Sequence, residues 1–223
     1  MINVAIDGPA GAGKSTIARL AAEKLGYIYI DTGALYRAVG LKFSKTGADV
    51  SSDKDIERVL SCTAVDIRFS GGEQHVFLDG EDVSGLIRTP EASMMASAVS
   101  AKPAVRAFLL EMQRQLAREN NVIMDGRDIG TVVLPNADVK IFLTASVKVR
   151  AERRFRELTE KGENVSFEDV YADIEKRDYN DTHRAAAPLK QAESACLADT
   201  SDLTLEDSVA LVVKKITEGT KKA

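Results

Sequence analysis

The chain has 223 residues, 44% hydrophobic and 29% charged, a composition that supports one globular unit and excludes extensive disorder. Its net charge of −4 provides no basic footprint for nucleic acid. Two cysteines, Cys62 and Cys196, form neither a metal-spaced cluster nor a disulfide framework, and no apolar run approaches the ~18 residues needed to cross a bilayer. Strand-forming sequence starts almost at Met1 and leaves no room for a signal peptide. A reduced, cytoplasmic protein that binds neither nucleic acid nor membrane is expected.

Val4 to Asp7 reads as a short buried strand. It runs into Gly8-Pro9-Ala10-Gly11-Ala12-Gly13-Lys14-Ser15-Thr16, a complete G-x-x-x-x-G-K-[ST] loop, and a helix-spaced stretch follows, Ile17 to Gly26. Strand, glycine loop and helix form the context a phosphate-binding loop requires. Its glycines allow the backbone N–H groups to close on an anion, and the helix start adds a positive dipole end. Lys14 would reach the terminal phosphates of ATP, while the Ser15 hydroxyl would ligate Mg²⁺.

Tyr27 to Asp31 is a second strand. Asp31-Thr32-Gly33-Ala34-Leu35-Tyr36-Arg37, at its strand-to-helix junction, offers a hydroxyl, a phenol and a guanidinium to a second phosphate. Between Val65 and Phe69 apolar residues recur at every second position; Ser70-Gly71-Gly72-Glu73 turns, and Gln74 to Asp79 returns. This predicts an antiparallel hairpin or meander inserted on the main sheet.

Val122 to Asp125 is a third buried strand, ending in Asp125-Gly126-Arg127-Asp128-Ile129-Gly130. Asp125 stands where phosphate-loop proteins often keep a carboxylate that organises Mg²⁺, through water for example, and Arg127 suits bidentate phosphate contacts. Val139 to Leu143 is a fourth strand and Ala195 to Asp199 a weaker fifth. Arg150, Arg153 and Arg154 share one face of a helix running to about Lys161, with Glu152 and Arg156 as a solvated pair. Gly162-Glu163-Asn164 reads as a hinge before a helix from Phe167 to Tyr179. Arg177, Asp181 and Arg184 repeat the one-face spacing, and the last helix covers Ser208 to Ile216. His75 and His183 fit no nucleophile or metal pattern and are expected to face solvent.

The predicted class is α/β: a doubly wound parallel sheet with ligands at the acidic strand ends, a small antiparallel insertion and a helical lid. A phosphate loop with several arginine sets favours a kinase that closes over two phosphate-bearing substrates. Another small-molecule phosphate-loop kinase, or a nucleotide-binding switch, are the alternatives.

The segments GPAGAGKST, DTGALYR, LDGEDVSGLIRT, DGRDIGTVVLP, RAERR and KRDYNDTHRAAAPL together resemble bacterial cytidylate kinases over nearly the whole chain. The resemblance implies transfer from ATP to CMP or dCMP, with Mg²⁺; a monomer is expected. It assigns cytosine to Ser97, Arg106 and Asp128. Thr32, Tyr36, Arg37, Arg127 and Arg184 match α-phosphate and nearby contacts, Arg177 and Asp181 match sugar contacts, and Arg150, Arg153 and Arg154 match lid arginines. A carboxylate accepting from the cytosine amine, beside an arginine donating to the ring acceptors, disfavours uracil. The implied organisation is one kinase unit over residues 1–223. An acceptor-binding region would cover about 32–105, with the insertion at 62–84, and a lid with acceptor contacts about 150–184.

Overall fold

A computed structural model describes residues 1–221. Five parallel strands form the central sheet: β1 (Asn3–Asp7), β2 (Ile28–Asp31), β6 (Val122–Gly126), β7 (Val139–Thr144) and β8 (Cys196–Asp199), in the order β2-β6-β1-β7-β8. The weakest predicted strand, at 195–199, is thus real and forms an edge. Side chains of β1 alternate between two cores. Val4 and Ile6 pack with Ile17, Ala18 and Ala21 of α1 (Lys14–Leu25) and with Val209, Val212 and Ile216 of α8 (Leu205–Thr220). Ala5 faces the opposite layer, where α2 (Thr32–Thr46) and α5 (Pro103–Glu119) cover the sheet. Helices on both faces of an all-parallel sheet explain why its strands read as near-continuous apolar runs.

The insertion is a three-stranded antiparallel sheet of β3 (Val65–Ser70), β4 (Glu73–Leu78) and the two-residue β5 (Glu81–Asp82). Gly71 and Gly72 turn it with φ of 61° and 82°, the left-handed pair a two-residue hairpin loop demands. Ile67, Val76 and Leu78 join the core beneath α2, so the insertion shares the main core. Gln74 also ties it to the edge of β2, accepting from the Asp31 N–H at 2.8 Å and donating to the Asp31 carbonyl at 3.2 Å.

The remaining helices are α3 (Asp53–Ser61), α4 (Pro90–Ser100), α6 (Val147–Glu160) and α7 (Phe167–His183). The last two pack on each other through a small apolar cluster of their own, Ala151, Leu158 and Val170 with Phe155, Phe167 and Tyr171. Gly162, at φ 77°, turns the chain between them. Arg184 lies just beyond α7, so it leaves the helix face it was expected to share with Arg177 and Asp181. Glu152 does not pair with Arg156; it stands 4.0 Å from Lys148, one turn earlier. His75 pairs with Asp82 at 3.0 Å and His183 stacks on Tyr179, both at the surface or near it.

Candidate active site

The parallel sheet delivers Asp7, Asp31 and Asp125 to one edge. Asp125 stands in register with both Ile6 and Asp31. Over that edge lies a cleft of about 770 Å³. The loop from Gly8 closes one side of it. A Cβ at Gly8 would lie 1.9 Å from the Leu143 carbonyl oxygen, so the backbone of β7 leaves room only for glycine. Gly13, at φ 83°, begins α1 with no side chain capping the helix, which keeps the first N–H groups available to an anion. Ala10, Gly11, Gly13, Lys14, Ser15 and Thr16 line the cleft; Gly8 and Pro9 do not, and Ala12 turns into the core.

Lys14 is 5% exposed and donates to the Pro9 carbonyl at 2.7 Å. Burial, together with repulsion from Arg127, holds its pKa well below the ordinary lysine range. Ser15 donates to one Asp125 oxygen and the Tyr29 phenol to the other, each at 3.0 Å. Burial, aided by the neighbouring Asp31 charge, pushes Asp125 up to about 6. Thr32 donates to the Asp125 carbonyl at 2.8 Å, fixing the second strand end to the third.

The DGRD turn is held from beneath. Asp7 accepts from the Ile129 and Gly130 N–H groups, both at 2.7 Å, where residues Ile129–Val133 form a single π-helical turn. Arg114 of α5 anchors the same turn through the Val132 and Val133 carbonyls, each at 3.0 Å. Burial outweighs those two bonds and pushes Asp7 up to about 6 from 3.8. A carboxyl whose pKa is higher in the folded state than in the unfolded chain loses stability as pH rises through the folded value. Measured by chemical denaturation, the stability of the native chain relative to Asp7→Asn should therefore fall by roughly 1.4 kcal/mol between about pH 5 and pH 8. A pH-independent difference would contradict the buried-acid assignment.

Arg127 donates to Asp181 at 2.7 Å, and Arg37 to Asp31 at 2.6 Å. Asp128, 4% exposed, accepts from Arg106 and, at 3.3 Å, from Arg184. Tyr36, Ser97, Arg153, Arg154 and Arg177 complete the wall. Arg153 donates to the Thr200 carbonyl at 2.8 Å. Nine cationic side chains against five carboxylates line the cleft of a chain whose net charge is −4. Among the described residues Arg177 has no acidic partner within 4.0 Å, although it is half-buried and repelled by Arg127, Arg37 and Arg154. Asp181 offsets part of that repulsion, and an anion in the cleft would offset the rest.

Arg150 departs from the expected set, because it does not reach the cleft wall. Its side chain is 4% exposed and donates to the Ala10 and Ala145 carbonyls, each at 2.9 Å, and to both Asp178 oxygens at 2.9 and 2.5 Å. It positions the loop against α7, while Arg156, read as a surface residue, lines the cleft. Arg150→Ala would leave two carbonyls and a carboxylate without their donor. A stability loss of about 2–4 kcal/mol is expected in chemical denaturation, discounted for the partial exposure of Asp178; a loss under about 1 kcal/mol would make the network incidental. Asp7, Asp178 and Thr200 are the supporting residues that sequence reasoning missed. Asp7 alone carried a signal, as an acidic strand end.

A relative from Caldicellulosiruptor bescii described as a cytidylate kinase is 54% identical over 97% of this chain and 94% of its own. One from Lactobacillus johnsonii, described likewise, is 50% identical over 98% and 93%. An uncharacterized protein from Eubacterium ventriosum has the same fold, with a TM-score of 0.51 at 10% identity, covering 97% of this chain and 99% of its own. A family model for cytidylate kinase matches residues 4–218, so the chain, cleft and all, belongs to the cytidylate kinase family.

Proposed function

We propose that this chain transfers the γ-phosphoryl group of ATP to CMP or dCMP, producing ADP and CDP or dCDP, as a monomer whose site is complete within one chain. The excess of cations in the cleft, with Arg177 unpaired among them, carries the reading. Transfer between two anionic substrates needs positioning and positive charge more than covalent chemistry.

Residues 8–16 hold the triphosphate, with Lys14 at its terminal phosphates. Thr32, Tyr36, Arg37, Arg127 and Arg184 take the acceptor phosphate. Ser97, Arg106 and Asp128 take cytosine, and Arg177 with Asp181 the sugar. Arg37 and Arg127 already lie on carboxylates, at 2.6 and 2.7 Å, so their guanidiniums are oriented before substrate arrives. The α6–α7 pair acts as the lid, carrying Arg153 and Arg154 over the phosphates and excluding water. Arg150, bonded to the Ala10 carbonyl, keeps the lid base in place instead of joining the transfer.

The Ser15 hydroxyl, open to the cleft, and the buried Asp125 carboxylate, hard oxygen donors 3.0 Å apart, fit Mg²⁺. Among the described residues no cluster of three carboxylate, histidine or cysteine ligands forms, which suits an ion shared with phosphates and water. When bound, Mg²⁺ supplies charge neutralisation between the triphosphate oxygens.

Coupled ADP release with CMP, dCMP, UMP and AMP as acceptors tests the reading. CMP and dCMP should stimulate release strongly, UMP weakly, and AMP not at all. Absence of stimulation by both cytosine nucleotides would overturn it.

A further inference from the structure

Gly40 is buried in the middle of α2, where it faces Met95 in the middle of α4. Its φ is not in the left-handed region, so its backbone makes no demand that alanine could not meet. Helix propensity argues against it, since among residues other than proline glycine is the poorest helix former and alanine the best. The contact with α4 accounts for it instead. A Cβ on Gly40 would stand 2.9 Å from the Met95 Cγ, 3.1 Å from the Met95 Cβ and 3.3 Å from the Ala96 backbone nitrogen. The first distance is too short to keep and the other two are tight. Met95 packs on the core shared with Leu35 and Val99, so relief comes chiefly by moving α4 outward.

The two helices hold opposite ends of one subsite. Tyr36 and Arg37, one turn before Gly40, bring α2 to the cleft, and Ser93 and Ser97 bring α4 to it. The C-terminal end of α4 also seats a further cation, because the Ser100 carbonyl accepts from Arg106 at 3.2 Å and Arg106 pairs with Asp128. An outward shift of α4 thus withdraws Ser97 and loosens Arg106. The phosphate loop is spared, because α1 packs in the core on the other face of the sheet.

We infer that Gly40 is a positioning residue for the acceptor: by letting α4 seat closely against α2, it sets the span between the side chains that take the acceptor phosphate and those that take its base. This rests on the reading that Tyr36 and Arg37 serve the phosphate while Ser97 and Arg106 serve cytosine. Gly40 itself touches no substrate.

The test is steady-state kinetics on Gly40→Ala, the Gly40→Ala/Met95→Ala double variant and Ser97→Ala, with thermal melts to establish folding. Gly40→Ala should raise KM for CMP about fivefold, equivalent to one hydrogen bond of about 1 kcal/mol. KM for ATP should stay within about twofold. The double variant, which removes the closest of the three contacts, should return KM for CMP to within about twofold of native, a recovery that general destabilisation would not produce. If Gly40→Ala does not fold, Met95→Phe, which fills the same gap from α4, carries the same expectations for the two KM values. An unchanged KM for CMP, a rise shared equally by ATP, or no recovery in the double variant overturns the positioning role. A native KM for CMP in Ser97→Ala overturns instead the base contact beneath it.

Discussion

Asp128→Asn should lower kcat/KM for CMP about 100-fold while leaving the dissociation constant for ATP within about twofold, the loss of roughly 1–3 kcal/mol typical of a specific base contact. Asp128 is 4% exposed and accepts from both Arg106 and Arg184. Its charge therefore does two things at once. It offers an acceptor to the exocyclic amine of cytosine, and it holds two guanidiniums close together that would otherwise repel. Asparagine keeps the shape but removes the negative charge and replaces one acceptor oxygen with a donor. The preference for CMP over UMP should fall with the rate, because uracil presents an acceptor where cytosine presents its amine. The same substitution should cost stability, on the order of 3 kcal/mol, by leaving a buried positive pair without its counter-charge. ATP affinity falling in step with CMP use would remove Asp128 from the base site.

The phosphate loop was legible because its chemistry is consecutive. Nine adjacent residues carry the motif, and the flanking strand and helix are short-range patterns. The DGRD turn was legible for the same reason. The arginines were harder to place, because Arg150, Arg153 and Arg154 have identical spacing signals and differ only in partners far away. Asp178 lies 28 residues from Arg150, and Ala10 lies 140 away. Nothing local distinguishes a guanidinium that braces a loop from one that faces a cleft. Likewise Asp7 was visible as an acidic strand end, but its two backbone bonds reach 122 and 123 residues along the chain. The two-residue β5 was too short to carry a period.

Asp7, Asp31 and Asp125 share one physical origin. Parallel strands end together, so each contributes a carboxylate to the same edge, and burial raises Asp7 and Asp125 to about 6. Asp31 is instead matched by Arg37. The sheet thus sets acids beneath the cleft while α5, α6 and α7 bring cations from above. The α1 N-terminus lies between the two layers.

Lys14 sits at that junction and shows what the arrangement costs. Lys14→Met should reduce kcat by at least about 10²–10³-fold, the loss seen when one preorganised donor to a developing negative charge is removed. It should also leave the protein as stable as before or more so. The ammonium is 5% exposed, its one hydrogen-bond acceptor is the neutral Pro9 carbonyl, and Arg127 repels it. An ammonium so placed is desolvated with incomplete compensation, and methionine fills similar space without a charge. Folding is therefore strained in favour of a group whose natural counter-ion is a phosphate. Thermal melts with and without ATP separate the two effects: ATP should raise the native melting temperature clearly and the Lys14→Met temperature much less. A Lys14→Met protein that is less stable without nucleotide, or that ATP stabilises as fully as the native chain, would contradict this account of the buried lysine.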